Sequence, residues 1–231
     1  MTESPLRSAL AALLAVLIIA CPVPSAAQLD EGGELFYGFN LNASLGGAIP
    51  TTDEFSNSFY FRLGGGYEIS PNFSLEVGMG RFATEVEHGM DTPPANTVAD
   101  GEMKVIPLTL ALQLRYPVPQ MFGTVYGLVG LGYYFIDYSW SGSSEEYFDE
   151  VEALYGPAVQ SVSDSVGFQL GAGYDYPLSA NMFLNLEGQY VILSPEASGS
   201  WRDVVTGERH SFDGDISLNT WIFSLGVKYL F

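Results

Sequence analysis

Cysteine is almost missing from this chain, histidine and basic residues are scarce, and no apolar run is long. It has one cysteine, Cys21, two histidines, His88 and His210, and 8 Lys and Arg against 27 Asp and Glu, for a net charge of −19. A single cysteine leaves no intrachain disulfide, and such acidity disfavours nucleic acid, whose phosphates need a basic face. The apolar stretch Ala9–Ala20 is too short for a membrane-crossing helix, which needs about 20 residues. A hydrolytic site would require a base histidine with a serine and a carboxylate. His88 and His210 both fall in long polar segments, and neighbours such as His210 and Ser211 point to opposite faces of an extended chain. No zinc-type spacing or phosphate-cradling loop is present, and Gly64-Gly65-Gly66 lies inside a strand pattern. The expectation is a protein that is not an enzyme and has no catalytic residues, metal or cofactor.

The N-terminus reads as an export signal over residues 1–27: Arg7 in a short positive region, the apolar run, then Ser25-Ala26-Ala27 before Gln28. Ile18-Ile19-Ala20-Cys21 offers a second, lipoprotein-type cleavage box in which Cys21 would be acylated, with Pro22 against it. Cleavage after Ala27 leaves one domain, 28–231, that has no cysteine.

What the chain has in quantity is Gly, Tyr and Phe, at 26, 14 and 15 residues, arranged with a period of two. In Ile216–Phe231 one face carries Trp221, Phe223, Leu225, Val227, Tyr229 and Phe231, and the other Thr220, Ile222, Ser224, Gly226, Lys228 and Leu230. Phe59–Ile69, Ile106–Tyr116 and Val166–Tyr176 divide in the same way, with large apolar residues opposite glycine and polar ones. Leu35–Gly47, Phe73–Val86, Val125–Tyr138 and Met182–Leu193 bring the total to eight. Eight is an even number of strands, each long enough to cross a bilayer at a tilt, which predicts an all-β fold: an antiparallel up-and-down transmembrane barrel.

Connections alternate between short (Ser70-Pro71-Asn72, Pro117–Gly123, Pro177–Asn181) and long, polar and acidic (Ile49–Ser58, His88–Gly101, Ser141–Ser163, Ala197–Asp215). Short periplasmic turns and long outer loops are the asymmetry of outer-membrane barrels, and both termini fall on the short-turn side. The competing soluble barrel of lipocalin type would carry Lys, Glu and Thr outside and apolar residues within. Here the polar face is crowded with glycine, and Tyr67, Tyr116, Tyr174, Tyr176 and Tyr229 sit on the apolar face at the short-turn ends, as an interfacial girdle does.

Several runs in the second half resemble the OmpW family of small outer-membrane barrels: Ile106-Pro107-Leu108-Thr109-Leu110, Val129-Gly130-Leu131-Gly132-Tyr133, Gly167-Phe168-Gln169-Leu170-Gly171-Ala172-Gly173, and above all Leu218–Phe231. OmpA/OmpX-like barrels share the glycine-rich strands. Asn219-Thr220 stands where the OmpW family has Asp-Pro, and Leu230 where it has Arg. The resemblance implies a monomeric barrel with a narrow, partly hydrophobic lumen, associated with binding or passage of small hydrophobic molecules. A structural or adhesive OmpX-like barrel with acidic surface loops is the alternative.

Parity assigns Arg62, Glu68, Glu76, Arg115, Asp175, Glu187 and Lys228 to the lumen, mostly in its periplasmic half, where they would form a charged plug. An eight-stranded barrel is only wide enough for its own side chains. Toward the outer side Phe82, Tyr134, Ile136, Val191, Leu193, Leu218 and Ile222 face inward, as a hydrophobic cup for ligand would. Pro107 inside the fourth strand removes a ladder N–H, so a lateral seam is expected beside the third or fifth strand. Glu145–Glu152 concentrates five acids that could gather divalent cations bridging to lipopolysaccharide, although no calcium-loop motif is present. The expected location is the outer membrane of a Gram-negative bacterium. The expected partners are its lipid and lipopolysaccharide, the barrel assembly machinery through the C-terminal strand, and a small hydrophobic solute.

Overall fold

A computed structural model describes residues 38–53, 55–70, 72–86, 101–118, 120, 122–140, 159–202 and 208–231. The expected signal peptide, His88 and the acidic run 145–152 lie outside them. The strands are β1 (Phe39–Pro50), β2 (Ser58–Ser70), β3 (Phe73–Val86), β4 (Gly101–Val118), β5 (Gly123–Trp140), β6 (Val159–Val162), β7 (Ser165–Pro177), β8 (Met182–Ile192), β9 (Glu196–Arg202), β10 (Arg209–Asp215) and β11 (Thr220–Leu230). Eight of them close an antiparallel barrel in the order β1-β11-β8-β7-β5-β4-β3-β2. Neighbours along the chain are neighbours in the wall, as an up-and-down barrel requires.

The period-two pattern is realised inside out. Leu63, Leu110, Leu170 and Phe223 are 49–62% exposed on the outer surface, whereas every lumenal charge is buried. A contiguous apolar band of this kind is unstable in water and suits lipid. Tyr67, Tyr116, Tyr176 and Tyr229 are exposed at the lower strand ends, and Tyr174 is half-buried there.

Closure is made by β1 and β11, paired from Asn40↔Leu230 to Pro50↔Thr220. Below the last pair, the Phe231 N–H donates to Phe39 O at 2.9 Å, and their rings lie 6.0 Å apart. The turn after β7 is fastened by Leu178 N–H donating to Met182 O at 2.8 Å.

Most strand ends differ from the sequence-based expectation by one to three residues, β1 for instance running on to Pro50 rather than ending at Gly47, and three larger departures stand out. Ala197–Asp215, expected as a loop, contains the β9–β10 hairpin; β6 joins it from the end of the expected loop Ser141–Ser163, giving a second sheet in the order β10-β9-β6. This sheet stands above the barrel, where neither face meets lipid, so its sequence shows no apolar outward stripe. The last barrel strand begins at Thr220 rather than Ile216. Pro195 opposite has no N–H to give, and Leu193 N–H is taken by the Asn219 side chain at 3.0 Å, so between barrel and raised sheet only Leu218 and Ile216 N–H donate across, to Leu193 O and Pro195 O, with no bond returned. Finally, β4 starts at Gly101 rather than Ile106. Its outward residues Glu102 and Lys104 form an ion pair at 3.0 Å, so strand pairing continues after the lipid-facing pattern has ended.

Candidate functional site

The lumen has two levels. In the lower one, all seven charges assigned by parity are 1–8% exposed and belong to one hydrogen-bonded network. Arg115 (β4) pairs with Glu68 (β2) and, at 3.0 Å, with Asp175 (β7). Asp175 also receives Lys228 Nζ (β11) at 2.9 Å and Asn185 Nδ2 (β8) at 2.7 Å. Asn185 Nδ2 reaches Tyr126 Oη (β5) at 2.7 Å, and Tyr126 donates to Glu187 Oε2 at 2.8 Å. Arg62 bridges Glu187, at 3.5 Å, to Glu76 (β3). Gln113 Nε2 then donates to Glu76 Oε2, and Ser74 Oγ to Gln113 Oε1, each at 3.0 Å. The chain of contacts draws on seven of the eight barrel strands and leaves β1 out. Burying a charge is costly unless it is paired and hydrogen-bonded, and here each has a partner.

The neutral members Tyr126, Asn185, Gln113 and Ser74 were not singled out from the sequence, although their inward parity was visible. Glycine makes the room. A Cβ at Gly173 would strike the Tyr126 ring, and one at Gly78 the Arg62 guanidinium.

Above this floor, all seven predicted apolar residues (Phe82, Tyr134, Ile136, Val191, Leu193, Leu218, Ile222) enter one buried cluster with Ala48, Phe55, Tyr60, Met103 and Val105. Its members are 0–6% exposed, so this level is filled by its own side chains. Phe55 comes from the β1–β2 connection, which is pinned on both sides. Thr51 N–H donates to Asn219 O at 2.8 Å, and Thr84 Oγ1 donates to Ser56 O at 2.7 Å. A single apolar residue in a polar loop carries no period, so nothing in the sequence marked it.

Pro107 is buried in β4. Its pairing with β5 is continuous, Ile106↔Phe135 and Pro107↔Tyr134. On the other side the β3–β4 register runs to Met79↔Leu108 and resumes at Phe82↔Val105, with Gly80 and Arg81 unpaired to Pro107 and Ile106. The interruption therefore lies beside β3.

A separate groove of about 660 Å³ lies on the outer surface across β1, β11, β8 and β7, where Gly188 and Ala172 leave space between Leu45, Leu186, Phe223 and Leu225. It faces lipid. Among the described residues, no group of three or more His, Cys, Asp or Glu could hold a metal. The His210 side chain lies outside the description.

A family model for the outer membrane protein β-barrel domain matches residues 12–231. The chain belongs to this family. This outer-membrane barrel sits in the envelope of a Gram-negative cell. Among solved structures it is similar to the outer membrane protein OprG from Pseudomonas aeruginosa, at 16% identity and a TM-score of 0.66, covering 87% of this chain and 99% of that one. Neisserial surface protein A matches at 14% identity and 0.56, covering 84% and 97%. The outer membrane protein AlkL matches at 17% and 0.53, covering 90% and 96%. At such identities the likeness is one of fold. No curated protein matches. The comparisons thus agree with the barrel group inferred from the sequence, while the narrower OmpW resemblance rests on the strand motifs.

Proposed function

We propose that this barrel binds small hydrophobic molecules from the outer side and passes them into the membrane. The observation that carries the reading is the stacking of levels: an apolar cluster of inward residues toward the outside, over a floor of paired charges. A solute among Phe82, Ile136 and Ile222 meets fixed, ionised hydrogen bonds below it, and desolvating it against them is unfavourable. Its exit is sideways, and the interrupted β3–β4 ladder at Pro107 is the place for it. The barrel acts as a monomer within lipid and lipopolysaccharide.

The test is uptake of a hydrophobic probe into proteoliposomes, run beside single-channel conductance. Wild-type protein should accelerate uptake over protein-free vesicles and conduct no ions, and Pro107→Ala, which restores the ladder donor, should slow uptake. Unchanged uptake in the variant removes the seam. No acceleration by the wild type removes transport.

One observation favours a second reading, a structural or adhesive barrel: the upper lumen is closed by side chains, and the β10-β9-β6 sheet stands above it as a contact surface. Trimming the β9–β10 hairpin separates the two. It should spare uptake if the cluster is the working part, and abolish surface attachment if the sheet is.

A further inference from the structure

The apolar cluster contains one polar atom with nothing to bond to. Tyr134 is 1% exposed, and its hydroxyl has no hydrogen-bond partner among the described residues. Tyr60, the cluster's other phenol, has one, in Gln189. An unmet buried hydroxyl is unfavourable, and phenylalanine would fill the same space without it. The ring is firmly placed: a Cβ at either Gly132 or Gly167 would meet it, so both glycines keep a flat bed for it. Its cross-strand neighbour on β4 is Pro107, and Arg62 at the top of the charged floor lies within electrostatic reach. The hydroxyl therefore stands at the boundary between the two lumenal levels, next to the interrupted ladder.

Charge decides which head group suits this boundary. The floor holds four acids and three bases, with Arg62 already shared between Glu76 and Glu187, and the whole chain carries −19. An anionic head would meet a like-signed field on approach and no free cation on arrival. A pure hydrocarbon would leave the hydroxyl unmet.

We propose that Tyr134 is the polar subsite for a neutral, oxygen-bearing hydrocarbon such as an alcohol, ketone or ester. The ligand oxygen accepts a hydrogen bond from Tyr134 Oη, and the carbon chain lies among Phe82, Val105 and Ile136 in place of Phe55. This rests on the reading that the cluster takes hydrophobic solutes.

The experiment measures binding of octane, octanol and octanoate to the full-length protein in lipid nanodiscs, for wild type and Tyr134→Phe. Wild type should prefer octanol, with octanoate weakest. The variant should lose about five- to tenfold in octanol affinity, the worth of one buried hydrogen bond, and keep its octane affinity. Urea unfolding without solute supplies a second readout. Removing an unmet hydroxyl should leave the empty variant as stable as wild type or more so, whereas a hydroxyl with a structural partner would make it weaker. Equal octanol affinity in the two proteins, a wild-type preference for octanoate, or a destabilised empty variant overturns the subsite. If the wild type binds none of the three probes, the solute-binding reading falls as well, and that result is distinct from the others.

Discussion

Asp175 accepts from Arg115, Lys228 and Asn185 at once, on strands β4, β11 and β8. Truncating it strands the buried Lys228 and leaves Arg115 with Glu68 alone, so Asp175→Ala should cost about 3–5 kcal/mol in urea unfolding, as removing one partner of a buried pair does. Tyr126→Phe should cost less, about 1–3 kcal/mol, because Glu187 keeps Arg62 when the phenol is lost. A reversed order in the two midpoints would contradict the network as described. Outside the membrane-spanning strands, the Glu196 carboxyl is raised above its ordinary value of 4.5, first by its hydrogen bond with Asp213. The folded hairpin thus holds a proton that the unfolded chain releases. That contribution is fully present below the ordinary glutamate range and fades as pH rises through the displaced value. Carboxyl titration by NMR should show Glu196 moving back toward its ordinary value in Asp213→Ala.

At the scale of elements, the β3–β4 interruption makes a prediction that does not involve transport. The Gly80 amide, whose N–H faces β4, should exchange with solvent faster than its neighbours, and Pro107→Ala should slow it; uniform protection along β3 in the wild type would mean the ladder is intact. Strands were legible in the sequence wherever lipid touched them. Trp221, Phe223, Leu225 and Val227 must be apolar because of what they face, and Phe73–Val86 matches its expected limits for the same reason. The β9–β10 hairpin was not legible, since among its described residues Glu196, Ser198, Asp213, Gly214 and Asp215 are exposed around a single buried small residue, Ala197, and no lipid-facing stripe is needed there. The charged floor was readable from parity alone because an ionised side chain at the depth of the lipid-facing stripe has only the lumen to enter. Its neutral links were not, since a Tyr or Asn suits either surface. The cluster's apolar members were legible as inward residues in the upper half. Their close packing was not, because it depends on Phe55 arriving from a loop.

For the whole molecule, the C-terminal strand closes the cylinder against β1, and Phe231 is its last outward residue. Deleting Phe231 should lower the amount of barrel recovered in the outer membrane while leaving lumenal properties of the assembled fraction unchanged; normal levels of the truncated protein would contradict that. The contacts across the lumen carry a further consequence. Ladder hydrogen bonds are blind to sequence, and a slip of two residues keeps every apolar side chain facing lipid. Such a slip would nonetheless misplace charges, because Arg62–Glu187, Arg115–Asp175 and Lys228–Asp175 join strands that are not neighbours in the wall. Five strands, β2, β4, β7, β8 and β11, are thereby checked for position by one they never pair with, and the interior works as a proofreading lock that only the correct stagger can close.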